Sequence, residues 1–220
     1  IEASKKYQKE FKLKPKKSYI LDIGSNDGSF LINFKEKGFQ VLGIEPAENV
    51  ALISRSLGIQ TISEFFSSEL ALVILQKYGY PRLIIVNNVL AHVPDLIDFI
   101  LGLSILTDVR TVISIENPSI LNILQMNQFD TIYHEHFSYL SLITTKQIFE
   151  SHGLEIFDVE EVPTHGGSLR IFAKHGNDLT KNVSDNLRII LEALLLVSKI
   201  GIESTIVDCK RLLSTAQCVI

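Results

Sequence analysis

A chain of 220 residues predicts one large domain, or one with a small appendage, and buries about 70% of its unfolded surface, so it can hold a core without disulfide or metal staples. Hydrophobic residues at 46% and charged residues at 21% exclude a disordered or low-complexity polymer, and the two cysteines, Cys209 and Cys218, write neither a disulfide framework nor a Cys-x-x-Cys zinc site. The net charge of -4 is uneven: seven lysines give residues 1–17 a local +5, and the acidic remainder opposes the basic footprint that nucleic acid requires.

Taken in chain order, residues 1–17 read as a basic, solvated lead-in helix ahead of a domain over 18–180. From Tyr19, apolar β-rich runs alternate with helical patterns, the rhythm of βαβ units around a mostly parallel sheet. The pattern predicts strands at Tyr19–Ile23, Gln40–Glu45, Gln60–Ser63, Leu83–Asn87 and Arg110–Glu116. It predicts helices near Phe30–Lys37, Glu48–Leu57, Ser67–Gln76 and Asp95–Leu106. Leu83–Val86 is continuously apolar, as expected of a central strand covered on both faces. Asn117 and Pro118 stop the fifth strand, and a long insert then runs to a helix at Thr144–Ser151; inserts of this length are usually functional. Two β-runs, Leu154–Val162 and Ser168–Lys174, flank a glycine turn at 163–167 and read as an antiparallel hairpin. Val183–Ile200 reads as an amphipathic helix, and Glu203–Ile220 shows no periodicity. The apolar run Leu187–Ile202 is broken by Arg188, Glu192 and Lys199, so no bilayer crossing is expected. The first residues lack a secretory pattern, and a cytoplasmic location is expected.

The chemistry concentrates where the first strand meets a glycine-bearing turn, Asp22-Ile-Gly-Ser-Asn-Asp-Gly28, followed by a helix. Gly24 and Gly28 let backbone approach a ligand closely, and the helix start offers unpaired N–H groups. The dinucleotide fingerprint G-x-G-x-x-G fails, because Asn26 and Ser29 stand where its second and third glycines belong. Asp27 repels a pyrophosphate but suits the ammonium of an amino-acid-like ligand, which favours S-adenosyl-L-methionine. Glu45 ends the second strand twenty-one residues after Gly24, where a carboxylate can accept from both ribose hydroxyls. Asn87 and Asn88 follow the fourth strand, at the sheet end where open α/β folds bind ligands. Glu64 and Phe65 suit an adenine edge and ring, although Phe65-Phe66 is equally a core-packing pair.

These segments, with Gly43-Ile-Glu-Pro46, Asn87-Asn-Val-Leu-Ala-His-Val-Pro94, Tyr133-His-Glu-His-Phe-Ser-Tyr-Leu140 and His165-Gly-Gly-Ser-Leu-Arg170, resemble the sugar C-methyltransferase family over roughly residues 18–200. The Tyr-His-Glu-His and His-Gly-Gly-Ser-Leu-Arg segments carry most of that resemblance. It implies an α/β, class I methyltransferase, Rossmann-like sheet ending in an antiparallel hairpin, with S-adenosyl-L-methionine as cofactor. The implied substrate is a small molecule, a nucleotide-linked 4-keto-deoxysugar methylated at carbon 3 through an enolate. The resemblance puts the base on His136, with Tyr133, Glu135 and His92 as catalytic companions; Tyr133 or His92 would donate to the enolate oxygen, and Glu135 would orient an imidazole or bind a sugar hydroxyl. Asp22, Gly24, Asn26, Asp27, Gly28, Glu45, Pro46, Glu64, Phe65, Asn87 and Asn88 are the implied cofactor contacts. His165, Gly166, Gly167 and Arg170 are the implied substrate contacts.

Each site residue also has a plainer reading. His134 and His136 share a face of an extended segment but lack a third placed metal ligand, so no metal is expected. His92 can cap the following helix, though Asp95 caps equally well; His165 and its glycines can simply shape a turn; Arg170 can meet a substrate phosphate or sit on a strand face. Members of the family typically carry a cysteine-rich zinc module and a further nucleotide-recognising domain, and neither lies within these 220 residues, so the expectation is a catalytic core. O- or N-methylation of another small metabolite, or a binding-only domain, are the rival functions. The sequence leaves the oligomeric state open.

Overall fold

The computed structural model describes residues 2–164 and 167–197. Seven strands form one sheet: β1 (Tyr19–Ile23), β2 (Gln40–Ile44), β3 (Gln60–Ile62), β4 (Leu83–Asn87), β5 (Val112–Pro118), β6 (Leu154–Val162) and β7 (Ser168–His175), ordered β3-β2-β1-β4-β5-β7-β6. The first five are parallel, and β7 runs antiparallel between β5 and β6. This is the mixed α/β, Rossmann-like methyltransferase architecture with antiparallel closing strands that the sequence implied.

Strand alternation divides the core. Leu21 and Ile23 of β1 and Ile84 and Val86 of β4 face one apolar cluster; Ile20 and Leu83 with Ile85 face the other. Leu83–Val86 has no exposure at all, consistent with its place between β1 and β5. At about 1.5–3 kcal/mol per fully buried large apolar side chain, these central strands supply much of the driving force. The first cluster is covered by α4 (Ser68–Tyr78), α5 (Leu96–Ile105) and α7 (Leu142–Ser151), and part of α8 (Asp185–Val197) joins it through Leu187. Ser67, Asp95 and Ser141 cap the first three by accepting a hydrogen bond from Leu70 N, Asp98 N and Thr144 N. Asp95, not His92, is therefore the α5 cap.

The second cluster is covered by α1 (Glu2–Glu10) and the short α2 (Ile32–Lys35), with α3 (Glu48–Ser56) alongside β3. Here the solvated lead-in helix needs correction. It ends at Glu10, and its Tyr7 is 1% exposed, its hydroxyl 2.8 Å from Ser114 Oγ and its ring edge-on to Phe172. Lysines dominate the segment's charge, but one aromatic face decides its packing. The helix expected over Phe30–Lys37 shrinks to α2.

Strand β5 starts at Val112 because Asp108, Arg110 and Thr111 close a turn whose Thr111 Oγ1 donates to Pro81 O. It runs through Asn117 and Pro118 rather than stopping before them, because β7 pairs with both. The insert holds an unforeseen helix, α6 (Ile120–Gln125), and a 3-10 turn at Phe129–Thr131; α7 begins at Leu142, ahead of Thr144. The expected end of the last helix at Ile200 and the tail 203–220 lie outside the described residues. No helix among the described residues is long and apolar enough to cross a membrane.

Candidate active site

Gly24 N and Ser25 N both donate to Ile44 O, which bends the chain sharply at the end of β1. Gly24 sits at φ +72°, where a Cβ would lie 2.5 Å from Val89 Cγ2; Gly28 sits at φ +82° against Ile59 and Ser54. Both glycines are demanded by backbone conformation and by space. Asn26 takes the left-handed region between them at φ +51°. Its Oδ1 accepts from Asp27 N, and Asp27 Oδ1 accepts from Ser29 N. These Ser29 bonds hold the exposed Asp27 carboxyl below the usual range, so it is ionised and fit for a cation.

Glu45 ties the turn to the second strand: its Oε2 accepts from Asn26 N at 3.0 Å and its Oε1 from Ala47 N at 2.9 Å, leaving a further lone pair on each oxygen. Pro46 is exposed beside it. Asp22, fully enclosed beneath, is pushed up to about 8 by desolvation first and by the Glu45 charge second. Both effects favour its protonated, neutral form. On the next loop Phe65 is 80% exposed, whereas Phe66 packs edge-on against Phe99 at 5.1 Å, so the core-packing reading holds for one ring of the pair and not for the other. Glu64 is exposed beside Phe65.

At the end of β4, Asn87 Oδ1 and Asn88 Oδ1 are buried without a hydrogen-bond partner, and Ser25 Oγ is in the same condition. Three orphaned polar atoms at the carboxyl end of the sheet mark a place built for a polar ligand. The loop that follows links two regions. Val89 packs on Gly24, while Asn88, Ala91 and His92 line a cleft of about 410 Å³ with Thr131, Tyr133 and His136.

The insert is stitched to that loop: Phe137 N and Ser138 N donate to Ala91 O, and His92 Nδ1 lies 3.0 Å from Glu135 O. His136 is held at both nitrogens. Its Nδ1 is 2.9 Å from Thr131 O, which can only accept, so in the neutral ring Nδ1 carries the hydrogen. Nε2 then presents its lone pair, which accepts from the Tyr133 hydroxyl at 3.0 Å. Burial lowers the His136 pKa, and the neighbouring His92 lowers it further against the opposing Thr131 bond. The imidazole is thus a neutral base at ordinary pH. His92, Tyr133 and His136 form one aromatic group, with ring centroids of His92 and His136 4.6 Å apart.

Other expected site residues lie elsewhere. Glu135 uses its carbonyl, and its exposed side chain does not line the cleft; His134 is also exposed, and among the described residues no group of three metal-ligating side chains occurs. Arg170 is committed to Glu116, with Nη2 to Oε2 at 2.6 Å, and a second carboxylate, Glu160, lies at 3.8 Å. Gly167, at φ +111°, packs on Asn122 of α6. His165 and Gly166 lie outside the described residues. Sequence reasoning missed Thr131, whose backbone carbonyl orients His136, and Tyr139, whose hydroxyl donates to the same carbonyl at 3.3 Å. A backbone acceptor leaves no sequence signal; only the length of the insert pointed to this region.

A family model for a methyltransferase domain matches residues 2–159. C-methyltransferase NovU of Streptomyces niveus is 39% identical over 154 residues, which are 70% of this chain and 37% of that protein. The chain therefore spans little more than a third of that relative's length. A SAM-dependent methyltransferase from Archaeoglobus fulgidus superimposes with TM-score 0.59 at 16% identity, covering 78% of this chain and 92% of the other. Magnesium protoporphyrin IX methyltransferase from Synechocystis, solved with bound SAH, does so with TM-score 0.59 at 17% identity, covering 78% and 80%. The glycine turn, the ionised Asp27, the Glu45 carboxylate and the orphaned Asn87 and Asn88 oxygens fit S-adenosylmethionine, whose demethylated form, SAH, is bound in that Synechocystis enzyme.

Proposed function

We propose that this chain, which belongs to the methyltransferase-domain family and is an S-adenosylmethionine-dependent methyltransferase, methylates carbon, at position 3 of a nucleotide-linked 4-keto-deoxysugar. Bound S-adenosylmethionine supplies the electrophilic methyl group. Asp27 meets its ammonium, Glu45 its ribose hydroxyls, Phe65 and Glu64 its adenine, and the Asn87 and Asn88 oxygens the remaining donors in the cleft.

The observation that carries the reading is the pair of contacts on the His136 ring, Nδ1 2.9 Å from Thr131 O and Nε2 3.0 Å from the Tyr133 hydroxyl, which leaves Nε2 as the basic nitrogen. O- and N-methylation of an already nucleophilic acceptor need no carbon-acid base, whereas carbon methylation beside a ketone does. His136 Nε2 takes the proton from the carbon next to the keto group, and the Thr131 carbonyl steadies the imidazolium that forms through Nδ1–H. Tyr133 swings its hydroxyl from Nε2 to the enolate oxygen as charge builds there, a contribution of about 3 kcal/mol for one such donor. His92, with Nδ1 engaged by Glu135 O, offers Nε2 to the same space. Desolvation keeps His136 unprotonated and ready.

The test is isotopic. With S-adenosylhomocysteine bound and a 4-keto-deoxysugar nucleotide present in deuterium oxide, the carbon beside the ketone gains deuterium; His136→Asn abolishes the gain. With S-adenosylmethionine the sugar gains the mass of one CH2 on carbon. Methyl transfer to oxygen or nitrogen without deuterium exchange would overturn the reading.

A further inference from the structure

A second cleft, of about 560 Å³, lies at the other end of the sheet. Tyr19, Gln40 and Gln60 open strands β1, β2 and β3, so the cleft sits at their amino-terminal edge, whereas the glycine turn and Glu45 sit at the carboxyl edge. Its floor is aromatic: the rings of Tyr19 and Tyr78 are 6.1 Å apart, and Phe39 lies beside them. Gln40 and Gln60 bring amide groups, and Gln60 Nε2 donates to the Tyr78 hydroxyl at 2.5 Å.

Two lysines complete the lining, and no carboxylate joins them. Lys35 reaches over Gly58 to donate to Leu57 O at 2.5 Å, a path that a Cβ at Gly58 would block at 2.5 Å from Nζ. Lys77 Nζ stands 5.0 Å over the Tyr78 ring. The decisive atom is the Tyr19 hydroxyl. It is buried, it has no hydrogen-bond partner, and its residue is 9% exposed. A buried hydroxyl left unpaired costs stability unless something supplies its partner.

We propose that this cleft is a second ligand site, distinct from the reaction site, taking a small aromatic anion: a flat ring bearing a phosphate or a carboxylate. The ring lies on Tyr19, Tyr78 and Phe39, its polar edge pairs with the Tyr19 hydroxyl and the glutamine amides, and its anionic group meets Lys77 and Lys35. The inference does not depend on which acceptor is methylated.

Calorimetric titration at low ionic strength tests it, with adenosine 5′-monophosphate as the phosphate probe and 4-hydroxybenzoate as the carboxylate probe, each with and without saturating S-adenosylhomocysteine. At least one probe binds at a single site, and the one that binds better identifies the anion. Lys77→Gln weakens that binding about two- to fivefold, as expected for one partly exposed ion pair. Tyr19→Phe, which keeps the ring and its packing, weakens it about two- to tenfold through the lost hydrogen bond. S-adenosylhomocysteine does not displace the probe. Absence of saturable binding of either probe at millimolar concentration, displacement by S-adenosylhomocysteine, or binding unchanged in both variants would overturn the proposal.

Discussion

Replacing Glu116 by Gln leaves the Arg170 guanidinium charged and largely enclosed, with its nearest remaining carboxylate oxygen, on Glu160, 3.8 Å away. In the folded protein the Arg170 and Glu116 side chains are 15% and 8% exposed and meet at 2.6 Å, and Arg170 Nε is already buried without a partner. Removing one member of a buried pair typically costs about 3–5 kcal/mol, most of it from the stranded charge. Glu160 and the Tyr7 ring, 5.9 Å from the guanidinium carbon, soften that loss, and Gln retains an acceptor for Thr164 Oγ1, so about 2–4 kcal/mol is expected. For a chain of this size each kcal/mol moves the melting temperature by about 2–4 °C, which gives a fall of roughly 5–15 °C. Urea and thermal unfolding of Glu116→Gln, Arg170→Met and the double variant measure it. The double variant is expected to be no worse than Glu116→Gln alone, because the unpaired charge is gone. If Glu116→Gln unfolds within about 0.5 kcal/mol of the parent, or if the single effects simply add, Arg170 is not held by this pair and its guanidinium is free for a substrate phosphate.

Four other outcomes follow from the site. His136→Asn lowers kcat by about 10²–10⁴-fold, the usual worth of a positioned base, with cofactor affinity unchanged by calorimetry; a near-normal rate removes the residue from that role. In the parent, the acid limb of kcat/KM falls at a pH below the ordinary histidine value of about 6.5, because burial first and His92 second disfavour the imidazolium; a limb above that value contradicts the geometry. Glu45→Ala weakens S-adenosylhomocysteine binding by about 10–100-fold, since two ribose bonds and the tie to Asn26 N disappear together; unaltered affinity rejects the assignment. Asp22, raised to about 8, binds an extra proton in the fold between the unfolded carboxyl value of about 4 and pH 8, so stability drops as pH rises through that window. Asp22→Asn removes the effect, and its stability advantage over the parent grows with pH by at most about 1.4 kcal/mol per unit in urea unfolding; a constant difference refutes it.

The parallel strands were legible because their side chains obey a simple rule: Leu83–Val86 is apolar without interruption, and it is the strand buried on both faces. The glycine turn was legible because Gly24 and Gly28 must hold positive φ in tight space. Helix α6 was hidden because Asn117-Pro118 reads as a terminator, yet pairing with β7 carries the strand through it and Ser119 can then start a helix. Arg170 looked available because nothing in a strand pattern reveals that Glu116, fifty-four positions away, faces it across the sheet. Tyr7 was masked by the lysines around it. Three of the four expected catalytic residues, His92, Tyr133 and His136, gather at one cleft, but the carbonyl that orients His136 belongs to backbone and had no letter to announce it.

The stretch from Ser119 to Ser141 is rooted separately from the glycine turn and touches the rest of the site through a few backbone bonds, chiefly to Ala91 O. On the proposed reading, acceptor choice and methyl-donor capture are written on different lengths of chain. On that reading, exchanging this stretch between relatives transplants acceptor preference while donor affinity stays put.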